Sequence, residues 1–386
     1  MNRRILQTSA FLAVAGATFF ALQTHKKASS VLIIDKGGTY VGQWEGDDSR
    51  TSVILVRTGE PVVIEHSTIR GCGTLIQSGV SHTNITVRNT HATGVHPHIA
   101  GRSAGRLISA ESFDSVVIEN NDIEGTGGIY LLDYAGNPTS ETAVRIVRNR
   151  AHNIDGRRSD GADGFLSDVD LVQFVQLDKV RHVPHIEIAW NQVIDDPGRS
   201  RVEDVINIYL SSGTRASPIQ IHDNYICGAY PANPTARDYS GGGIMLADGQ
   251  AELPDDVSSF VEAFNNQVID TTNYGIAISA GHDCVIHDNR IVSTGTLPDG
   301  TPLRAQNVGA YIWNARHAKS FAENSGYANQ IGWAKPDGRN DWWVPDAARW
   351  KDNIHWPGTI TQQTISDERK LWKQKLKDHH VSIGAN

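Results

Sequence analysis

The sequence predicts an all-β solenoid, a parallel β-helix, finished by a C-terminal aromatic or helical cap or tail. Three observations predict it. A short asparagine motif recurs along the chain, a second strand-like family alternates with it, and no helical periodicity separates the two. Composition agrees: 36 glycines and 2 methionines in 386 residues suit turns and strands better than helices.

Composition also excludes several classes. Hydrophobic residues at 39% and charged residues at 20% rule out wholesale disorder. Three cysteines rule out a disulfide scaffold, and Cys72, Cys227 and Cys284 follow no metal spacing. The net charge of −8 leaves no basic face for nucleic acid.

At the N-terminus, Arg3 and Arg4 precede an apolar run from Ile5 to about Leu22. A basic start followed by such a run has the form of a secretory signal. Residues 1–29 are therefore expected to be a signal peptide or an uncleaved anchor, and the body periplasmic or extracellular. No comparable run recurs after residue 30, so no membrane partner is expected beyond that anchor.

The asparagine motif reads NITVRNTH at Asn89, VVIENNDI at Asn121, RIVRNRA at Asn149 and IEIAWNQV at Asn191. It continues as IQIHDNYI at Asn224, EAFNNQVI at Asn266, CVIHDNRI at Asn289 and SFAENSGY at Asn324. Recurrence every 20 to 45 residues or so is the mark of a solenoid. Such asparagines are expected to stack coil on coil, their amides bonding turn groups. His222 and His287 share the pattern Ile-His-Asp-Asn and read as repeat positions. His96 and His98, in GVHPHI, are too few for a metal site.

The second family reads GGIYLLD from Gly127, DLVQFVQLD from Asp170, DVINIYLSS from Asp204, GGIMLAD from Gly242, YGIAISA from Tyr274 and VGAYIWN from Val308. Each segment is short, rich in β-branched or aromatic residues and bounded by Gly, Asp or Asn, as a strand is. With two strands per period and no crossover helices, a chain that returns to stack strand on like strand is a parallel β-helix.

On these segments the chain resembles the right-handed parallel β-helix proteins of the pectin lyase-like superfamily, over roughly residues 32 to 330. GGTYVGQWE at 38–46, EDVINIYLSSGT at 203–214 and GGGIMLADG at 241–249 resemble a bacterial subgroup. The resemblance implies a polysaccharide bound along one face, and lyase, hydrolase or epimerase chemistry. SDGADGFLSDVDLVQF at 159–174 and GHD at 281–283 echo polygalacturonase signatures. The Arg-x-Pro-x-x-Arg of pectate lyases and the Gly-Asp-Asp and Arg-x-Lys of polygalacturonases are absent, so neither mechanism carries over.

Strand alternation then nominates a site. In DVINIYL, Ile206, Ile208 and Leu210 point inward and Asn207 and Tyr209 outward. In DLVQFVQ, the inward set is Val172 and Phe174. One outward row should therefore stack Tyr130, Gln173, Asn207, Met245, Ala277 and Tyr311, a ribbon of rings and amides suited to sugars.

Asp168 and Asp170 head one strand, Glu203 and Asp204 the next. A 34-residue coil from Asp170 to Asp204 would bring those two carboxyls about 5 Å apart. Such a pair suits general acid–base work. Unbroken alternation turns Asp204 inward and Glu203 outward, leaving Glu203, Arg201 and Asn207 as the outward set.

Lys179, Arg199 and Arg201 lie near in sequence. There a lyase would use a base against the proton beside a uronate carboxylate, with a cation or Ca²⁺ neutralising that carboxylate. The expected catalytic set is Asp170, Glu203, Asp204, Lys179 and Arg201. The expected substrate-binding set is Tyr130, Gln173, Asn207, Tyr209 and Tyr311. The partner is an acidic polysaccharide, with a polysaccharide lyase ahead of a glycoside hydrolase. A non-catalytic glycan-binding or envelope-assembly protein is the alternative.

Beyond residue 330 the composition changes. Trp333, Trp342, Trp343, Trp350, Trp356 and Trp372 cluster here, with Trp313 shortly before, and SDERKLWKQKLKDHH at 366–380 predicts a helix. Residues 30–330 are read as the β-helix and 331–386 as a Trp-rich tail covering its open end.

Overall fold

The computed structural model describes residues 31–137, 142–251, 253–305, 308–314, 317–335 and 349–386. The expected leader and Trp342 and Trp343 lie outside these residues. The chain is a parallel β-helix. Its strands form a 20-stranded and an 11-stranded parallel sheet, and one two-stranded antiparallel hairpin adds to them. The larger sheet is two ladders joined through the long strand Ile108–Glu119, which pairs in both. Each coil thus visits three ladders in turn. Strands such as Val175–Asp178 and Asp204–Tyr209 belong to the first, Ile186–Ala189 and Ile219–His222 to the second, and Gln192–Ile194 and Tyr225–Ala229 to the third.

The interior is filled by inward side chains of all three ladders, among them Ile64, Ile118, Leu131, Leu177, Ile208 and Ile276, all inaccessible to solvent. Among the described residues, no helix is long and apolar enough to cross a membrane.

The corner between the second and third ladders hardly varies. It has two residues in every coil, and from His66 onward the first is left-handed, as at Asn120, Arg148, Trp190, Asp223, Asn265 and Asp288 (φ 52 to 58°). The second residue carries the ladder of asparagines. Nδ2 of Asn121 donates to Oδ1 of Asn149 at 2.9 Å, and the relay passes through Asn191, Asn224, Asn266 and Asn289 to Asn329 and Asn353. Each Oδ1 also accepts a backbone N–H of the preceding coil, and each amide reaches a strand carbonyl, so the amides of the relay are themselves paired.

Two expected rungs move. Asn89 is the left-handed residue and Thr90 takes the rung, its N–H bonding Asn121. Asn324 instead accepts from the Cys284 N–H at the head of a second-ladder strand. Outside this corner, rings stack coil on coil. His222, Phe264, His287 and Tyr327 lie 4.8, 5.1 and 4.8 Å apart within 11° of parallel, so both histidines are repeat positions.

The coil pattern runs past residue 330, to Trp350–Lys351 and Ile354–His355. The chain then forms a helix, α1 (Gln362–Asp378), begun by a Thr361–Thr364 capping box, and the helix folds back along the third ladder. Trp372 is buried against Tyr225 and Trp190. Glu368, 3% exposed, accepts from Gln267 and from Arg290. The final residues continue to the middle coils, where Ser382 and Ile383 carbonyls accept from Asn120 and Arg150, and Gly384 N–H donates to Arg148.

Candidate functional site

Only the first ladder is flanked by long loops at both edges. The chain reaches it from the third ladder through segments such as 95–107, 153–174 and 230–241, and leaves it through 179–185, 210–218 and 249–258. The segment 153–174 contains the hairpin of Arg157–Ser159 and Phe165–Val169. Its Ser159 pairs with the 101–102 backbone, and His96 bonds the Ala162 carbonyl and packs on Phe165. That gives His96 a structural use. The first ladder is therefore the floor of a trough.

Where each coil enters this floor, two successive residues point inward. Leu75–Ile76, Leu107–Ile108, Phe174–Val175 and Val205–Ile206 are all buried in the core. Strict alternation breaks there, with two results. Val175 is inward beside Ile206, so the outward row reads Tyr130, Gln176, Asn207, Met245, Ala277 and Tyr311. Gln173 lies before the corner. And Asp204, also before the corner, turns to the outer face and meets Asn207 there rather than pointing into the core.

The coil at this point is 31 residues long, so Asp170 lies beside Arg201 and Gln173 beside Asp204. The expected 34-residue pairing of Asp170 with Asp204 does not form. Asp170 accepts from Nε of Arg158 at 2.9 Å and from Ser103 at 2.5 Å. Burial works against these bonds, yet they hold the Asp170 carboxyl below its usual range.

Asp204 instead keeps different acidic company. Asn207 Nδ2 donates to Asp204 Oδ2 at 2.8 Å and reaches Asp248 Oδ2 at 3.4 Å, so one amide joins two carboxylates. The Tyr274 hydroxyl, two coils on, donates to Asp204 Oδ1. It reaches across Gly242, the register partner of Asp204, and a Cβ there would collide with both the Tyr274 ring and the Asp204 carboxylate. Burial pushes the Asp204 carboxyl up to about 7 against the bonds from Tyr274 and Asn207, and the charges of Glu203 and Asp248 add to the rise. Glu203 stands one-third exposed and is bonded by Arg201 at 2.8 Å. Burial raises its carboxyl as well, opposed by Arg201. Beside these acids, Met245, Tyr274 and Ala277 form an apolar patch with Tyr311 packed on it.

The remaining expected residues are spread along the floor. Tyr130 donates to Asp178 at 2.8 Å under the Arg106 guanidinium. Tyr209 lies in register between Asp178 and Asp248. Lys179 is exposed, past the far end of its strand and away from the corner. Arg201 is buried, bonded to Glu203 and to the Asp170 carbonyl.

Sequence reasoning missed Asp248, Tyr274 and Gly242. The closing Asp of GGIMLAD was the available signal for the first.

Several buried polar atoms around this cluster have no hydrogen-bond partner among the described residues: Gln173 Oε1, Asp178 Oδ1, Arg201 Nε, Asn207 Oδ1 and Ser240 Oγ. Groups of this kind are costly to leave unpaired and are met by water or a polar ligand. Among the described residues no group of three or more His, Cys, Asp or Glu is placed to hold a metal ion. Comparison with protein-family models, curated proteins and solved structures finds no match for this chain.

Proposed function

We propose that the chain is an exported carbohydrate-active enzyme of the pectin lyase-like kind that hydrolyses glycosidic bonds in a polysaccharide lying along the first ladder. One observation carries the reading: Asp204 and Asp248 share the Asn207 amide, within two hydrogen-bond lengths of each other, beside an apolar aromatic patch. A carboxyl that keeps its proton near neutral pH is suited to protonate a leaving glycosidic oxygen. A second carboxylate nearby then activates water or attacks the anomeric carbon. Asp204 takes the first role. Asp248 takes the second, with Glu203 held by Arg201 at the rim. Tyr311 and Tyr274 offer ring faces to the apolar side of a sugar, and the unpartnered atoms of Gln173 and Asn207 accept its hydroxyls.

Hydrolysis is favoured over elimination by the cations. Arg201 is engaged with Glu203 and a main-chain carbonyl, and Lys179 stands at the wrong end of its strand to neutralise a uronate beside Asp204.

The test is a panel of neutral and uronate-containing polymers. New reducing ends without an ultraviolet-absorbing unsaturated product, lost in Asp204→Asn, are expected. The unsaturated product would replace this reading with elimination. Retention on immobilised glycan without turnover would replace it with binding alone.

A further inference from the structure

The loop 230–241 and the loop 294–305 leave the third ladder two coils apart, and the coil between them turns on Thr272 and Asn273 alone. The short turn leaves a notch between the longer loops. It is a cavity of 610 Å³, lined by Thr235 and Arg237 from one loop, Thr301 and Arg304 from the other, and Lys335 beyond them.

Among the described residues, no carboxylate lines the notch. Arg237 and Arg304 have no ion pair or hydrogen bond among the described residues. Arg145, Arg157, Arg158, Arg201 and Arg290 each meet an Asp or Glu. The nearest acid in sequence, Asp238, exerts its charge on Glu203. In a chain with 43 acidic residues and 35 basic ones, two arginines on one concavity, neither paired with a carboxylate among the described residues, repel one another until an anion enters.

We propose that this notch is an oxyanion-binding site in which the Arg237 and Arg304 guanidiniums hold a carboxylate, sulfate or phosphate group. It stands apart from the reading of Asp204, because its loops and cations are present whether or not that carboxyl catalyses. The anion is either free or a substituent on a polymer that lies in the trough, since the notch opens on the same edge of the first ladder.

Calorimetric titration of the full chain with inorganic sulfate, at an ionic strength held constant with chloride, tests the site without any turnover. One saturable site is expected in the wild type and in Arg70→Gln, a surface arginine already paired with Glu45. Affinity is expected to fall at least tenfold in Arg304→Gln and to vanish in Arg237→Gln/Arg304→Gln. Arg304 is exposed, so the single variant is read even where the double one folds poorly. The absence of saturable heat with both sulfate and phosphate overturns the proposal, as does equal affinity in Arg304→Gln. A sulfated or uronate oligosaccharide that binds more tightly than free sulfate, and loses that advantage in Arg304→Gln, upholds the site and assigns the anion to the polymer. Equal affinity for the two upholds it as a site for the free ion.

Discussion

Two corners of the same coil differ in almost every respect. Between the second and third ladders the turn has two residues in every coil, a left-handed first residue and an amide relay with its polar groups paired. Between the third and first ladders the connection varies from two residues to a segment carrying its own hairpin, and Gln173 Oε1, Arg201 Nε and Ser240 Oγ beside it lack partners among the described residues. The first corner is optimised for stacking, where each amide both donates and accepts along the axis. The second gives up regularity, a cost that functional sites commonly impose on a fold. The contrast marks out the candidate site better than any single residue does.

Asp204→Asn separates the two corners most strongly. The amide can accept from Asn207 and donate to the Tyr274 oxygen, so the fold should persist while turnover falls about 10²–10⁴-fold. Its stability profile carries a second signature. Burial raises the folded carboxyl to about 7, from an ordinary value of 3.8. From about pH 4 to 7 the folded state therefore binds a proton that the unfolded state lacks, and stability falls as pH rises through that window. Urea unfolding across that range should show a flatter profile in the variant, with a gain at neutral pH. An unchanged slope would remove Asp204 from the buried acid role.

Asn191→Ala should do the reverse. It orphans the Asn149 amide and the Ile146 carbonyl, so about 3 kcal/mol of stability should disappear, with no displacement of the pH–rate profile. A loss below about 0.5 kcal/mol would show that the relay is not what holds this corner. Tyr274→Phe is expected to have a smaller effect. Without the hydroxyl that favours the charged form, the Asp204 carboxyl rises further, and the alkaline limb of the rate profile should move up by about one unit. Last, Lys179→Ala should change neither stability nor rate by more than about 0.5 kcal/mol, because the side chain is exposed and remote from the corner. A large fall in rate there would restore elimination as the reaction.

The regular corner was legible because one residue type does the same work in every coil. Its two slips are local. Asn89 is one position early, the left-handed slot also favouring asparagine, and Asn324 serves a strand head five residues before the true rung at Asn329. The outward row Tyr130–Asn207–Met245–Ala277–Tyr311 was legible from alternation alone.

Alternation failed where Phe174–Val175 and Val205–Ile206 both point inward, because a period of two cannot register a bend. That one failure put Gln173 into the expected row and turned the expected Asp204 toward the core, whereas Gln176 holds the row and Asp204 faces outward. The pairing of Asp204 with Asp248 was hidden further, since the register shifts by one between Asn207 and Tyr209. Tyr274 was invisible for another reason: its reach depends on the missing side chain of Gly242.

The C-terminal segment changes how the molecule bears load. In a stack where each coil grips only its neighbours, traction on the last residue would peel the outermost coil and then the next. Here Ser382 is tied to Asn120, 262 positions earlier in the chain. A pull at that end is therefore delivered first to the middle of the rod, as shear across several coils. The docked Trp372 and Glu368 must slide before the terminal coil feels any strain.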